Sequence, residues 1–157
     1  MILICKCAYF IGHTSWELNN HEDARIYLDS ALQLARRWGE EPNGYCLPHR
    51  SIAITCNRLS LLAEDDKDLE KVAQYAWLSY EQWKQAAMES QEALDWEHLA
   101  IVCGRIAMGQ FNAGMAWEVY SIWDELARRF PDNPKYAEER ERDKRIWEII
   151  KKHHPGS

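Results

Sequence analysis

The sequence predicts an all-α protein built from helix pairs, and two observations carry this prediction. Apolar residues recur at three- and four-residue spacing along nearly the whole chain, and no alternating, strand-like run occurs. Helix-breaking residues separate the periodic segments, and the longest such cluster, Gly39–Pro48, predicts a loop. We therefore expect seven helices, at about 2–18, 21–38, 49–64, 68–90, 94–112, 115–130 and 134–152.

Length and composition favour one folded domain. The chain has 157 residues, 46% of them hydrophobic, and no flexible linker divides it. We expect one domain over residues 1–152 and a tail at 153–157. The net charge is −6, and the basic residues are interleaved with acidic ones. This pattern lacks the basic face of a nucleic-acid binder, so we expect no nucleic-acid partner.

The cysteines and the amino-terminal segment bear on the compartment. The five cysteines are odd in number and contain no CxxC pair, so we expect free thiols and a cytoplasmic location. The apolar segment 1–10 is interrupted by Lys6 and is too short to cross a bilayer. We expect neither a signal peptide nor a membrane partner.

The helices repeat in pairs. A large apolar residue followed by a small one recurs at Ile11-Gly12, Leu59-Ser60 and Ile106-Ala107, so the period is 48 residues (59 − 11) and then 47 (106 − 59). The second helices carry a matching series of apolar and small residues at Ala24, Leu28 and Ala31, at Val72, Ala76 and Ser79, and at Val119, Trp123 and Leu126. A small residue on one helix allows its neighbour to approach closely.

This pattern resembles the tetratricopeptide (TPR) repeat, and the segment 127–134, with its closing Pro-x-x-Pro turn, is similar to the end of that family's unit. The resemblance implies a right-handed α-solenoid. It would contain three antiparallel helix pairs at about 2–38, 49–90 and 94–130, and a capping helix at 134–152. The second pair departs from the pattern because no proline closes it, and the period exceeds the usual unit.

In TPR proteins the first helix of each pair lines a concave groove, and this resemblance implies a set of partner-binding residues. They are Tyr9, His13, Trp16, Asn57, Arg58, Leu61, Arg105, Met108 and Phe111. Arg58 and Arg105 occupy equivalent positions. They could hold a carboxylate or a carbonyl of a ligand, or form salt bridges with nearby acidic side chains.

No pattern typical of a catalytic or metal site occurs. Cys5 and Cys7 are two residues apart on a helix and point in different directions, and Cys56 and Cys103 fall on core positions. The acidic residues between Glu64 and Asp68 precede a helix, where they complement its free amide groups. We expect no enzyme activity, no cofactor and no metal.

The leading hypothesis is a protein–protein interaction module that binds a peptide or partner helix in the groove. One alternative is a TPR-like sensory domain of a bacterial regulator, binding a signalling peptide or small ligand. Another is a homodimer scaffold formed through the C-terminal helix or the apolar N-terminal helix. The apolar residues of the N-terminal helix are Ile2, Leu3, Ile4, Phe10 and Ile11.

Overall fold

The computed structural model describes residues 2–39 and 47–153, and their secondary structure is entirely helical. Seven α-helices are present in these residues. They are α1 Ile2–Glu17, α2 His21–Gly39, α3 Leu47–Asp65, α4 Leu69–Ser90, α5 Ala93–Gln110, α6 Ala113–Arg129 and α7 Pro134–His153. The all-α prediction is confirmed, and each described helix ends within two residues of its predicted bound.

The helix starts differ from the prediction where proline or a capping side chain acts. Pro48 was expected in the loop but is the second residue of α3, where an amide needs no intrahelical acceptor. Asn112 accepts a hydrogen bond from the amide of Met115 over 3.0 Å, so α6 begins directly after it and includes Gly114. The rest of the predicted loop, residues 40–46, lies outside the described residues.

The starts of α2 and α4 are capped in the same way. The side chain of Asn20 accepts from the amide of Asp23 over 3.3 Å, and that of Asp68 accepts from the amide of Lys71 over 3.2 Å. Hydrogen bonds from Lys71 lower the pKa of the Asp68 carboxyl. Asp68, the last of the acidic residues between Glu64 and Asp68, therefore caps the start of α4.

The chain forms two compact units, Met1–Ser90 and Gln91–Ser157, and each buries its own apolar side chains. The first contains α1 to α4 and the second α5 to α7. The arrangement of all three pairs as one solenoid stays a prediction. Within the described residues, no helix combines the length and apolar character needed to cross a membrane.

In the first unit the small residues of the repeat lie where helices approach most closely. A Cβ atom at Gly12 would lie 2.9 Å from the Leu28 side chain and 3.2 Å from the Ala24 carbonyl oxygen. At the equivalent place, the buried Ser60 donates its hydroxyl to the carbonyl oxygen of Val72 over 3.1 Å. The core around these contacts includes Ala24, Leu28, Leu32, Cys56, Leu59 and Leu62.

In the second unit α6 packs against both α5 and α7. Cys103 and Trp123 are buried, which confirms the core positions expected for them. The largest apolar side chains buried beside them are Leu99, Ile106, Ile122, Leu126, Tyr136 and Ile150. Because α6 lies between its neighbours, α5 and α7 form the two walls of a trough whose floor is α6.

Non-glycine residues with positive φ stand at four helix ends. They are Asn19, Lys67, Gln91 and Phe111, with φ of 60°, 60°, 58° and 48°. Asn19 and Lys67 precede the capping residues of α2 and α4 and are one 48-residue period apart (67 − 19). The first two hairpins therefore reverse direction through the same left-handed backbone step.

Candidate functional site

The nine predicted partner-binding residues fall into two sets, one in each compact unit. Six of them lie on α1 and α3 of the first unit, namely Tyr9, His13, Trp16, Asn57, Arg58 and Leu61. The other three belong to the second unit: Arg105 and Met108 lie on α5, and Phe111 follows directly after it.

The first set is organised around a row of rings on α1. The ring centroids of Tyr9 and His13 are 6.0 Å apart, and those of His13 and Trp16 are also 6.0 Å apart. Spacings of three and four residues place these side chains one above another on the helix surface. Tyr9 and Trp16 also pack against the hydrophobic core, so the row is anchored from beneath.

Trp16 joins this row to α3. The Arg58 guanidinium lies 4.6 Å from the centre of the Trp16 ring, a cation–π geometry. The indole Nε1 of Trp16 donates to Asp65 over 2.6 Å. Arg58 therefore stacks on a tryptophan, a partner that neither sequence hypothesis for it included. Asn57 and Leu61 are half-buried on the same helix.

A small cavity of about 220 Å³ lies between α1 and α3 beyond this row. It is lined by Cys5, Lys6, Tyr9, Phe10, Ser51, Ile54 and Thr55. A volume of this size suits one or two apolar side chains rather than a whole small molecule. The first unit thus has a small pocket beside a cluster of rings that contact one another.

The second set borders a longer depression. Two adjoining cavities, of about 410 and 290 Å³, lie between α5 and α7 and share Met108 and Ile146 as lining residues. Val119 and Trp123 of α6 line the larger one. We call this depression the α5–α7 groove. Its further lining residues are Ala100, Ile101, Gly104, Arg105, Phe111, Lys135, Glu139, Arg142, Asp143, Ile149, Ile150 and His153.

All three predicted residues of the second unit line this groove. Arg105 borders the larger cavity, Phe111 the smaller one, and Met108 both. The side chains of Met108 and Phe111 are each 52% exposed, so the groove presents apolar surface to solvent. Such a surface is typical of sites that bind apolar side chains of a partner.

The groove is closed at the start of α7 by a polar contact with α5. The Tyr136 hydroxyl donates to Glu97 over 2.7 Å, and Lys135 forms an ion pair with the other oxygen of that carboxylate. Burial raises the pKa of Glu97, but the hydrogen bonds from Lys135 and Tyr136 outweigh it, so the pKa lies below its usual value. The hydrogen bond to Glu97 raises the pKa of Tyr136.

The charges further along the α7 wall are paired. Arg142 donates from Nε and Nη2 to the buried carboxylate of Asp143 over 3.2 and 3.0 Å, and it forms an ion pair with Glu139 at 2.5 Å. The α7 wall therefore presents paired charges rather than a field of one sign.

Some side-chain nitrogen atoms in each of the two units are buried without a hydrogen-bond partner in the described part of the chain. They include His13 Nδ1, Arg58 Nε and Trp123 Nε1. A buried donor with no acceptor is destabilising by about 1–3 kcal/mol. The Arg58 and Trp123 groups are donors, so the burial of each is unfavourable.

The α7 wall is what the sequence interpretation missed. Ile146, Ile149 and Ile150 form an apolar series on a charged helix, for which the sequence predicts either a cap or a contact with a partner or a second copy. Ile150 does pack inward, whereas Ile149 is 60% exposed and lines the smaller cavity. The signal available in the sequence was the adjacent pair Ile149-Ile150, because neighbouring residues point about 100° apart on a helix and so widen its apolar face.

Across the described residues, no three His, Cys, Asp or Glu side chains come together in a way that could hold a metal ion. The predicted absence of enzyme activity and of cofactors stays a prediction. Comparisons of the chain with protein-family models, with curated proteins and with solved structures find no match.

Proposed function

We propose that the chain is a non-catalytic interaction module that binds a helical segment of another protein in the α5–α7 groove. The observation that carries this proposal is the pair of adjoining cavities whose shared lining residues, Met108 and Ile146, stand on opposite walls. A helix lying along the trough would bury apolar side chains against these walls and against the α6 floor.

The two ends of the groove specify the chemistry of the segment. The end near Phe111 and Ile149 is apolar, so it suits leucine, isoleucine or aromatic side chains at three- and four-residue spacing. The end near Arg105 and Arg142 carries paired charges, so it suits polar side chains or a carboxylate. The proposed occupant is therefore an amphipathic helix with a polar end.

Selection from a random peptide library tests the proposal. Peptides of about 16 residues would form a helix nearly as long as α5, at about 1.5 Å per residue. We expect the selected peptides to be amphipathic and to bind the Met108→Glu variant at least about tenfold more weakly, as measured by calorimetry. The control is Leu94→Glu, which places the same charge on an exposed apolar position of α5 that lines neither groove cavity.

Equal binding of the selected peptides by wild type and Met108→Glu would exclude the α5–α7 groove as their site. A second groove variant, Phe111→Asn, separates binding from folding because asparagine tolerates the left-handed backbone at this position. Trp16→Ala is a poorer probe, because it also removes core contacts and the hydrogen bond to Asp65.

The alternative is a regulatory domain that binds a small ligand. A cavity of about 410 Å³ lies within the range of small-molecule sites. A small ligand of that kind would compete with the selected peptides for the larger cavity, and Met108→Glu would weaken both. A library of small molecules can be screened for compounds that displace a bound peptide. If none of them displaces it, the protein-binding function is favoured.

A further inference from the structure

The outer face of α1 carries an apolar stripe that stays widely exposed in the described part of the chain, and only Phe10, at its edge, also lines the cavity between α1 and α3. Its large side chains are widely exposed: Leu3 74%, Ile4 61%, Phe10 60% and Ile11 46%. Cys7 is exposed between them, and the side chain of Ile2 lies outside the described residues. At about 100° per residue these positions span roughly 120° of the helix, as wide as a stripe that normally faces a core.

The same face is covered on the equivalent helix of this chain. Ile11 corresponds to Leu59 of α3 (11 + 48), yet Leu59 is only 2% exposed. It lies in a core cluster with Leu28 and Leu32 of α2, which packs against α3. The face that α1 leaves open is therefore one against which a helix packs elsewhere in the same fold.

The spacing of the stripe indicates which helix fits it. Positions 3, 4, 7, 10 and 11 are symmetric about position 7, since 3 and 11, and likewise 4 and 10, lie equally far from it. In an antiparallel pair with a two-fold axis at Cys7, Leu3 would lie level with Ile11 of the second copy, and Ile4 would lie level with Phe10. The smallest side chain would then lie at the crossing point, where two helices come closest.

Charge and size agree with a second copy as the occupant. A two-fold interface sets identical surfaces against each other, so any charge on it repels itself. The stripe carries no charged residue, although the chain as a whole has a net charge of −6. At roughly 100 Å² for each of the eight large apolar side chains, the pair would bury about 800 Å² before Cys7 and the flanking residues are counted, which is close to the lower limit for a specific interface.

We propose that the chain forms a homodimer through α1, in an antiparallel two-fold arrangement centred on Cys7. This surface is separate from the α5–α7 groove. The dimer would present two copies of the groove, and dimerisation does not depend on what the groove binds.

Sedimentation equilibrium of the full chain tests the dimer. Wild type is expected to be dimeric at micromolar concentrations. Ile4→Glu is expected to weaken dimerisation at least about tenfold, because the two-fold axis places each new charge in the interface twice. Ile26→Glu is the control, since Ile26 is a similarly exposed isoleucine on α2. Circular dichroism checks that both variants fold.

A wild-type chain that stays monomeric up to about 100 µM would overturn the proposal. A dissociation constant above that concentration means a free energy of association weaker than about 5.5 kcal/mol, which is too small for a specific dimer. Equal weakening by Ile4→Glu and Ile26→Glu would overturn it too, since the dimer would then form through another surface.

Cross-linking tests the antiparallel register. Two proteins are made in a Cys7→Ser, Cys46→Ser background, one with Leu3→Cys and the other with Ile11→Cys. The three other cysteines, Cys5, Cys56 and Cys103, are buried and stay in place. The two are mixed and oxidised with diamide, which takes two electrons and two protons from two thiols as the disulfide forms.

Antiparallel pairing is expected to yield a disulfide between the two different proteins, because residues 3 and 11 would lie level with each other at a distance that a disulfide can bridge. A parallel pair would instead join each protein to its own kind. Cross-links of that second type alone would overturn the proposed register.

Discussion

The hydroxyl of Ser79 donates a hydrogen bond to the carbonyl oxygen of Ala53 over 2.9 Å, and the thiol of Cys5 makes the corresponding contact with the carbonyl oxygen of Ala31 over 3.4 Å. The two contacts join equivalent positions, because 5 and 53, like 31 and 79, are 48 residues apart. In one hairpin the donor is on the first helix, and in the other it is on the second. The contact point is thus kept while the direction of the bond is reversed.

Ser79→Ala is expected to lower the free energy of unfolding by about 1 kcal/mol, because it removes a fully buried hydrogen bond between α3 and α4. Urea denaturation followed by tryptophan fluorescence measures the change. Ser30→Ala is the control, since that hydroxyl is exposed and bonds only within α2. If Ser30→Ala lowered the free energy of unfolding by as much, the hydrogen bond of Ser79 would contribute nothing specific to stability.

Gly12→Ala is expected to destabilise the α1–α2 hairpin by about 1–3 kcal/mol, because the new methyl group would collide with the Leu28 side chain and backbone. Hydrogen-exchange mass spectrometry of peptides from α1 and α2 would show faster exchange.

Gly109→Ala provides the matched control, because a Cβ atom there meets nothing within 4 Å. The higher helix propensity of alanine is expected to stabilise that site by about 0.5–1 kcal/mol. If Gly12→Ala also stabilised the protein, the close approach of α1 and α2 would not be as tight as the structure has it.

The stability of the second unit is expected to fall in acid through Glu97. Its pKa in the folded chain lies below the usual value of 4.5. As the pH falls, Glu97 is therefore protonated in the unfolded chain before it is protonated in the folded chain. Its contribution to stability is complete above the pKa of the unfolded chain and is lost as the pH falls through the pKa of the folded chain. Urea denaturation between about pH 3 and pH 7 measures this dependence.

Glu97→Gln is expected to lower the free energy of unfolding by about 1 kcal/mol at neutral pH and to flatten its fall in acid. Glu138→Gln is the control, since Glu138 is an exposed carboxylate on α7. An unchanged pH profile in Glu97→Gln would mean that other carboxylates govern acid unfolding.

The buried thiols are expected to be unreactive in the folded chain. Burial raises the pKa of Cys56 to about 12, so near pH 8 only about one thiol in ten thousand is the reactive thiolate. In a Cys7→Ser, Cys46→Ser variant, a disulfide reagent is expected to label no thiol in buffer. It is expected to label Cys5, Cys56 and Cys103 in urea. Rapid labelling in buffer would show that one of the helix pairs opens locally.

The fold was largely predictable because helical periodicity is a local signal. Residues such as Ala24, Leu28 and Ala31 follow one another at helical spacing, and all three are fully buried. Two helix starts were misplaced because a proline or an asparagine can begin a helix as well as break one. Pro48 and Asn112 illustrate the two cases.

The site was predictable only in part, because it depends on contacts between helices distant in sequence. The repeat register placed Met108 and Phe111 in a groove, but it gave no reason to expect α7 as the opposite wall. Nor did it indicate that Arg58 would stack on Trp16, since neither spacing nor composition records which partner an arginine takes. The repeat register also did not predict the exposure of Ile11. The equivalent residues Leu59 and Ile106 are buried, whereas Ile11 is exposed.

The backbone at Phe111 has a conformation that suits a bulky residue poorly. A bulky residue with φ of 48° is less stable than glycine would be by about 1 kcal/mol. Phe111 lines the α5–α7 groove, where its ring is exposed. If the groove binds a partner as proposed, recognition and folding stability place opposite demands on this one residue.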